Sequence, residues 1–330
     1  MTKDQVLLLL KQADDYISGE MMSKEIGVSR AAIHTAVNKL RKEGYQIVSV
    51  TNKGYRLENT VDQLTFGEIT SFFTKQRKGQ LICYESTDST NDRLKELAQN
   101  GASAGTVVIA NEQTAGKGRM GRVFQSDKNT GIYMSILMKP QGELEHISEI
   151  TAWVAVCVSR AIEKVVGITP GIKWVNDVVL NGKKVCGILT ELSVEGESGR
   201  IQHLIVGIGL NVHNKTEDFS EEIRQKATSI DEQSEIYVNR AQLAAAVIEE
   251  LDLMFEKWPE GKEDYLSYYR EHCVTTKKQV RLLSGKEERV GYAEEVTENF
   301  HLQVCYEDGK REAVSSGEVS VRGMYDYIDK

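Results

Sequence analysis

The first sixty residues alternate apolar positions with polar turns at the spacing of a small helical domain. The pattern predicts a helix over residues 4–14, a short one over 23–27, and a third that Ser29 caps and Gly44 ends. Strand-like stretches at 46–51 and 55–57 then flank the turn Asn52-Lys-Gly54. Two helices joined by a short turn and followed by a hairpin predict a winged helix-turn-helix, whose second helix enters the DNA major groove.

The distribution of charge favours the same interpretation. The whole chain has a net charge of −8, yet residues 1–60 carry nine Lys or Arg against seven Asp or Glu. A basic segment on an acidic body suits contact with a polyanion, although a small protein–protein module is the alternative. The residues that we expect to contact DNA lie on the polar face of the third helix and at the hairpin tip: Ser29, Arg30, His34, Thr35, Asn38, Lys39 and Lys53.

From Phe66 onward the apolar pattern alternates between helices and strands. Strands are predicted at 81–84, 106–110, 131–138, 171–174, 178–180, 185–192 and 201–208, with helices at 92–100, 148–166, 239–258 and 262–271. From Lys277 onward, short strands are predicted with turns at Ser284-Gly285, Glu298-Asn299 and Asp308-Gly309. Because many strands are linked as hairpins, the pattern predicts an α+β fold with a largely antiparallel sheet. We divide the chain into domains at 1–60, 66–272 and 273–330.

The composition and the spacing of the cysteines indicate the cellular compartment in which the protein works. The longest aliphatic run near the start, Val6–Leu10, has five residues, far short of the ~20 of a transmembrane helix. The N-terminal residues lack the pattern of a signal peptide. The five cysteines are widely spaced and form no C-x-x-C pair, which argues against a zinc site or a disulfide framework. We therefore expect a cytoplasmic protein with no membrane partner.

A glycine-rich loop carries the first candidate chemistry. Residues Gly116–Gly121 formally match G-x-G-x-x-G, but the segment continues as a loop and leads into a strand rather than a helix. The dinucleotide-binding interpretation therefore fails. Flexible backbone that carries Lys117, Arg119 and Arg122 can instead close over an anion. A solvated basic loop is the alternative.

Two further clusters carry polar chemistry. Lys173 lies among apolar strand residues, where an unpaired charge is costly, so we expect a carboxylate or phosphate beside it. Asn176 and Asp177 follow and offer oxygen ligands that suit Mg²⁺, although ion pairs around a hairpin would explain the same residues. Lys184 begins the next strand. The other cluster, 89–91, caps a predicted helix and could also bind a polar ligand there.

Taken together, these segments resemble the bifunctional biotin–protein ligase and biotin operon repressor family. The matching pieces occur in the family's order: Asp88-Ser-Thr-Asn91, 113–122, Lys173-Trp-Val-Asn-Asp177, 184–189, Gly207-Ile-Gly-Leu-Asn211 and 316–322. Each piece alone is weak, but the ordered set spans nearly the whole chain and is specific. The resemblance implies a central sheet like that of class II synthetases and an SH3-like C-terminal barrel.

The resemblance also implies a two-step reaction. Biotin and Mg·ATP form biotinyl-5′-AMP, and a lysine of the biotin carboxyl carrier protein of acetyl-CoA carboxylase then takes the biotinyl group. By matching positions, the biotin site comprises Ser89, Thr90, Asn91, Gln113, Lys117, Gly118, Arg119, Lys184 and Gly187. The adenylate site comprises Arg119, Arg122, Phe124, Asn176 and Asn211. The catalytic residues are Arg119, Lys184, Asp177 and Lys173, with Asp177 the candidate to orient Mg²⁺ or the incoming lysine.

In that family biotinyl-AMP also acts as corepressor, since it promotes a homodimer that binds operator DNA. Three positions depart from the usual family pattern: Lys117 replaces arginine, Phe124 replaces tryptophan, and Val175 replaces proline. Lysine cannot reproduce the bidentate geometry of arginine, so the loop would hold the adenylate less tightly. Two alternative functions stand beside this one: a lipoate-type acyl ligase, and a repressor that senses a ligand without catalysis.

Overall fold

Three helices and a hairpin form the beginning of the chain. In the computed structural model, which describes residues 2–59, 61–139, 144–194, 201–284, 287–315, 319–323 and 327–328, they are α1 (Thr2–Gln12), α2 (Gly19–Ile26), α3 (Arg30–Lys42), β1 (Ile47–Val50) and β2 (Gly54–Leu57). The hydroxyl of Ser29 accepts from Ala32 N at 3.2 Å and caps α3, as predicted. The α3 face of Ile33, Ala36, Val37 and Leu40 is buried.

The second helix begins earlier than the sequence predicted. Residues 23–27 were expected, but α2 starts at Gly19 because the hydroxyl of Ser18 accepts from Met21 N and caps it. Gly27 ends it with φ +75°, a conformation that favours glycine. The winged helix-turn-helix itself is confirmed.

The chain divides into two compact units. One comprises Met1–Gln76 and Asn239–Ala245, and the other comprises Arg77–Val238 and Ala246–Lys330. In the first unit, helix α4 (Phe66–Thr70) brings the fully buried Glu68 to the amine of Lys11. The buried Arg240 donates to Asp62 at 2.9 Å. Residues 61–76, which the sequence places in a linker and at the start of the catalytic domain, thus belong to the first unit, and our three-domain division stays a prediction.

A seven-stranded sheet is the centre of the second unit. Its strands are β3 (Leu81–Tyr84), β4 (Val107–Ala110), β5 (Gly131–Met138), β6 (Gly171–Lys173), β7 (Asp177–Leu180), β8 (Lys183–Val194) and β9 (Ile201–Asn211), in the order β3-β4-β5-β9-β8-β7-β6. Every neighbouring pair is antiparallel except β3 with β4, which confirms the largely antiparallel prediction. Strands β4 and β5 are buried throughout, which explains their unbroken apolar sequence.

The remaining helices are α5 (Thr90–Gln99), α6 (Leu144–Val166), α7 (Glu221–Arg224), α8 (Arg240–Lys257) and α9 (Lys262–His272). Trp153 of α6 stacks on Tyr265 of α9, with ring centroids 4.1 Å apart. The largely apolar sequence of α6 fits this buried position. Among the residues that the structure describes, no helix combines the length and apolar character needed to cross a bilayer.

An antiparallel five-stranded sheet follows. Its strands are β10 (Lys278–Ser284), β11 (Glu287–Val296), β12 (Leu302–Cys305), β13 (Arg311–Val314) and β14 (Val319–Arg322), in the order β13-β12-β11-β10-β14. This arrangement is consistent with the SH3-like barrel. Gly309 has φ +80° at the predicted Asp308-Gly309 turn. Two predicted features, the Ser284-Gly285 turn and the 316–322 motif, fall partly outside the described residues.

Candidate active site and DNA-contacting surface

Two adjoining pockets lie against the central sheet. The first encloses about 460 Å³, part of it open solvent, and is lined by every residue predicted for the biotin site, together with Phe124, Met134, Asn176, Ile188, Leu189, Gly207, Ile208 and Gly209. The second encloses about 1860 Å³, again including open solvent, and is lined by all of the predicted adenylate and catalytic residues. Their shared lining residues are Gly118, Arg119, Phe124, Asn176 and Lys184. A ligand in each pocket would therefore meet at this group.

Glycines leave room for the first pocket. Gly187 on β8 lies opposite Gly209 on β9 in the sheet register. A Cβ on Gly209 would lie 2.5 Å from the ring of Phe124, and one on Gly207 would lie 2.4 Å from Asn91 Oδ1. The strands can therefore approach these side chains closely only where no side chain of their own is present.

A polar network lies in and behind the wall of the first pocket. Thr90 donates from its backbone to Gln113 Oε1 at 2.8 Å, and Asn91 donates to Glu191 at 2.6 Å. The hydroxyl of Ser135 on β5 lies within hydrogen-bond distance of both Thr90 Oγ1 and Asn91 Oδ1, at 2.7 Å and 2.5 Å. Ser89 stands at the start of α5, but its side chain makes no capping hydrogen bond there. Capping alone therefore does not explain the predicted cluster 89–91, which is buried at the wall of the pocket.

The glycine-rich loop forms a narrow hairpin over the pockets. Gly118 N donates to Arg122 O at 2.7 Å, and Phe124 N donates to Gly116 O at 2.9 Å. A short turn at the tip contains Met120, which is exposed with φ +57°. This local geometry confirms that the loop does not open a helix of the dinucleotide-binding type.

The cations of this loop face different partners. Arg119 donates to Asn176 Oδ1 at 2.8 Å, at the junction of the two pockets. Burial, with a smaller contribution from the nearby Arg122, lowers the pKa of Arg119, against the effect of Asp177. Lys117 pairs with Asp92 of α5 at 2.6 Å. Because arginine keeps its charge even when buried, Arg119 places a fixed cation at the junction.

Lys184 is paired with a partly buried carboxylate. Its Nζ lies 2.6 Å from Asp177 Oδ1, and the hydroxyl of Tyr327 donates to Asp177 Oδ2. Burial alone would raise the pKa of Asp177. The charges of Lys184 and Lys173, with hydrogen bonds from Lys184 and Tyr327, outweigh burial and lower it below its ordinary value. Asp177 is therefore ionised and stabilises the ammonium beside it.

Lys173 is almost fully buried in the wall of the second pocket. Its Nζ donates to Val321 O at 2.8 Å and lies 3.8 Å from the ring centroid of Tyr327. Burial lowers the pKa of Lys173 to about 8, and the cations Lys184, Arg322 and Arg122 act in the same direction, against Asp177. The expected carboxylate near Lys173 is thus Asp177.

Magnesium does not fit at Asp177 in this arrangement. Oδ1 accepts from Lys184 and, at 3.1 Å, from Asn176, while Oδ2 accepts from Tyr327. Both carboxylate oxygens therefore face donors, with Lys173 nearby. Across the described ranges, no group of three or more His, Cys, Asp or Glu side chains could hold a metal ion. In this geometry Asp177 is instead paired with Lys184.

The second pocket suits a polyphosphate. Seven cationic side chains line it against two acidic ones, Asp177 and Glu222, and the cations are Arg119, Arg122, Lys173, Lys184, Lys226, Arg281 and Arg322. Phe124 offers an aromatic ring, which meets Tyr133 edge-on at 6.4 Å. The buried Asn211 donates to Thr228 O at 3.0 Å.

Several residues of the site carry no signal in the sequence that would have identified them. Ser135 and Glu191 stand inside strands and carried no motif, and Asp92 resembled an ordinary helix-start acid. Tyr327 lies 150 positions from Asp177 and carried no signal. Gly207 and Gly209 were quoted in a motif without a role, although paired glycines inside a buried strand are themselves a sign of close approach.

The predicted DNA-contacting residues lie wholly or partly at the surface of the first unit. Ser29, Arg30, His34, Thr35, Lys39 and Lys53 are exposed, and Asn38 is partly exposed and lies 3.3 Å from the ring of His34. Beside the hairpin, Tyr16 lies under both Lys53 and Arg56, 5.7 Å and 4.8 Å from its ring centroid. These positions therefore present cations and hydrogen-bonding groups to solvent.

Comparison with known proteins agrees with both units. A model of the Biotin/lipoate A/B protein ligase family matches residues 83–211, and an HTH domain model matches residues 2–56. The bifunctional ligase/repressor BirA of Bacillus subtilis is 39% identical over 269 residues, which cover 81% of this chain and 80% of that protein. The BirA of Escherichia coli is 28% identical over 322 residues, 96% of each chain.

A solved structure gives the same result. The biotin protein ligase of Aquifex aeolicus in complex with biotin and ATP superposes with a TM-score of 0.64 and 31% identity, covering 74% of this chain and 99% of that one. The match extends over the greater part of this chain. With 39% identity to a bifunctional relative across four fifths of its length, the chain belongs to the family of biotin–protein ligases that are also DNA-binding repressors.

Proposed function

We propose that this chain activates biotin with ATP at the junction of its two pockets and transfers it to a lysine of a biotin carboxyl carrier protein. The observation that carries the proposal is the shared wall formed by Gly118, Arg119, Phe124, Asn176 and Lys184. Two anions must meet there, and two cations stand at the meeting point.

The first pocket suits biotin in shape and polarity. The polar end around Thr90, Asn91 and Ser135 offers donors and acceptors for a ureido ring. The glycines of β8 and β9 leave a narrow slot for an apolar chain, which Met134 and Leu189 line. A carboxylate at the other end of the ligand would then point at Lys184.

The second pocket suits ATP. The carboxylate oxygen attacks the α-phosphorus, the bond to the bridging oxygen breaks, and pyrophosphate leaves. Lys184 and Arg119 stabilise the negative charge that develops there, and their fixed positions avoid reorganisation during the step. The ring of Phe124 offers a surface for the adenine, and the cations toward Arg281 and Arg322 would receive the leaving pyrophosphate. Magnesium would accompany the ATP phosphates, and we assign it no ligand at Asp177.

In the second step the carrier lysine amine attacks the carbonyl of the mixed anhydride. The new amide bond forms, AMP leaves, and the amine loses its proton. Closure of the Gly116–Arg122 loop excludes water until the carrier protein arrives, which protects the anhydride from hydrolysis. Arg119 and Lys117 hold that closed state through Asn176 and Asp92.

We further propose that biotinyl-AMP is the corepressor, and that a ligand-promoted homodimer binds operator DNA. Two copies of α3 would then read the two halves of a pseudo-palindromic site, with Lys53 of each hairpin at a phosphate. DNA and carrier protein as partners imply the cytoplasm.

The test is ATP–pyrophosphate exchange with the full chain, run with biotin, with lipoate and without acid. Exchange that depends on biotin is expected, and exchange only with lipoate would assign the chain to the lipoate-type ligases. Transfer of labelled biotin to a carrier domain separates a ligase from a repressor without catalysis. Biotin is the favoured acid because BirA proteins, which are bifunctional ligase/repressors, are similar to this chain over most of its length.

A further inference from the structure

Tyr327 has no part in the scheme above, yet it contacts two of the catalytic candidates. Its hydroxyl donates to Asp177 Oδ2, and its ring lies under the amine of Lys173 at 3.8 Å. It also lines the second pocket. A residue that follows β14 by five positions therefore reaches the centre of the site.

Lys173 and the residue after it are hydrogen-bonded to the C-terminal part of the chain. Lys173 donates to Val321 O at 2.8 Å, and Trp174 donates from its backbone to the hydroxyl of Thr275 at 2.9 Å. The indole of Trp174 donates to Phe300 O at 2.8 Å. These bonds hold the sheet against the segment 173–177, so the small barrel is attached next to the catalytic groups.

The two oxygens of Asp177 have separate tasks. Oδ1 accepts from Lys184, and Oδ2 accepts from Tyr327. With both oxygens held, the carboxylate has one orientation, and Lys184 is fixed at the junction of the pockets. Without the hydroxyl, Oδ2 would turn toward another donor such as Lys173, and Lys184 would follow the rotation.

We propose that Tyr327 is a positioning residue for adenylate formation: its hydroxyl orients Asp177, which in turn holds the ammonium of Lys184 where the two ligands meet. The inference rests on the proposed function. It gives the segment that follows β14 a part in the first chemical step, through the hydrogen bond from Tyr327 to Asp177.

The test compares Tyr327→Phe with Tyr306→Phe in the full chain. Phenylalanine keeps the ring under Lys173 and removes only the hydroxyl. Tyr306 is the matched control because its hydroxyl also donates to a carboxylate, that of Glu312, at 3.0 Å. Both Tyr306 and Glu312 belong to the C-terminal sheet region, away from Asp177 in the sequence. For Tyr327→Phe we expect kcat for biotin-dependent exchange to fall about tenfold, as for loss of a hydrogen bond to a charged group. We expect KM for biotin and the melting temperature to stay near the wild-type values, and Tyr306→Phe to leave kcat unchanged.

A double-mutant cycle with Asp177→Asn identifies the route of the effect. If Tyr327 acts through Asp177, then Tyr327→Phe should change the rate little in the Asp177→Asn background. Single-turnover formation of labelled adenylate with enzyme in excess keeps slow variants measurable. Additive effects, an unchanged kcat in Tyr327→Phe, or an equal loss in Tyr306→Phe would each overturn the proposal. If the wild-type chain itself shows no biotin-dependent exchange, the proposed function fails first, and this inference fails with it.

Discussion

Replacing Gly187 by alanine adds a single methyl group beside the amine that we place at the reaction centre. The new Cβ would lie 2.8 Å from both Cε and Nζ of Lys184, whereas ordinary contacts begin at 3.4 Å. The lysine end must therefore move by about 0.6 Å. Because Gly187 sits opposite Gly209 in a regular pair of strands, the backbone has little freedom to move instead.

The size of the effect follows from that displacement. A misplacement of about 1 Å in an active site can cost about a hundredfold in rate. For the shorter shift of Lys184 we expect kcat for adenylate formation to fall about tenfold, which corresponds to about 1.4 kcal/mol. Stability should fall by less than about 1 kcal/mol, because the crowded atoms are the flexible end of a lysine.

The assay is biotin-dependent pyrophosphate exchange together with thermal unfolding. Gly291→Ala is the contrasting control, since its Cβ would lie 2.5 Å from Val304 in the C-terminal sheet, far along the chain from Lys184. That variant should lose stability and keep its kcat. A Gly187→Ala enzyme with wild-type kcat would refute the reasoning, and so would one whose loss of activity only follows its loss of stability.

Three further predictions concern the charged residues. Arg119→Ala should release biotinyl-AMP about tenfold faster, because the loop loses its hydrogen bond to Asn176; an unchanged release rate in a chase with unlabelled ligand would count against that role. Since the pKa of Lys173 is about 8, its charge is lost as the pH rises through that value, so KM for ATP should increase there; Lys173→Met should have a higher and pH-independent KM, and an equal pH response in both enzymes would exclude Lys173 as the source. Lys39→Ala should weaken operator binding and lower the salt slope by about 0.9 for the lost phosphate contact; a gel-shift series with an unchanged slope would remove Lys39 from the DNA face.

Much of the fold could be predicted because its strands are apolar and its turns are marked. Residues 81–84 and 131–138 form strands within the predicted limits. The parallel pairing of β3 with β4 could not be predicted, since a buried strand has the same pattern in either direction. The short helix α4 was missed because five residues carry too little periodicity.

The site divides in the same way. Residues within motifs, such as Arg119 and Lys184, could be predicted because their neighbours in the chain carry the signal. Asp92 and Tyr327 could not, because each acts through one side-chain contact with a distant residue. The contact between Asp177 and Lys184 could not be predicted either, since an aspartate that pairs with an amine and one that binds a metal look the same in the sequence.

The paired glycines of β8 and β9 restrict how the pocket can be redesigned for larger analogues of its ligand. The pocket cannot be enlarged by shortening a side chain at Gly187, Gly207 or Gly209, because glycine has no side chain. Added space must come from apolar residues that line the pocket, and Met134 and Leu189 are two of these. Methionine is the easier of the two to replace, because its flexible side chain tolerates repacking. Libraries aimed at bulky or clickable analogues should therefore begin at Met134 and leave the glycines unchanged.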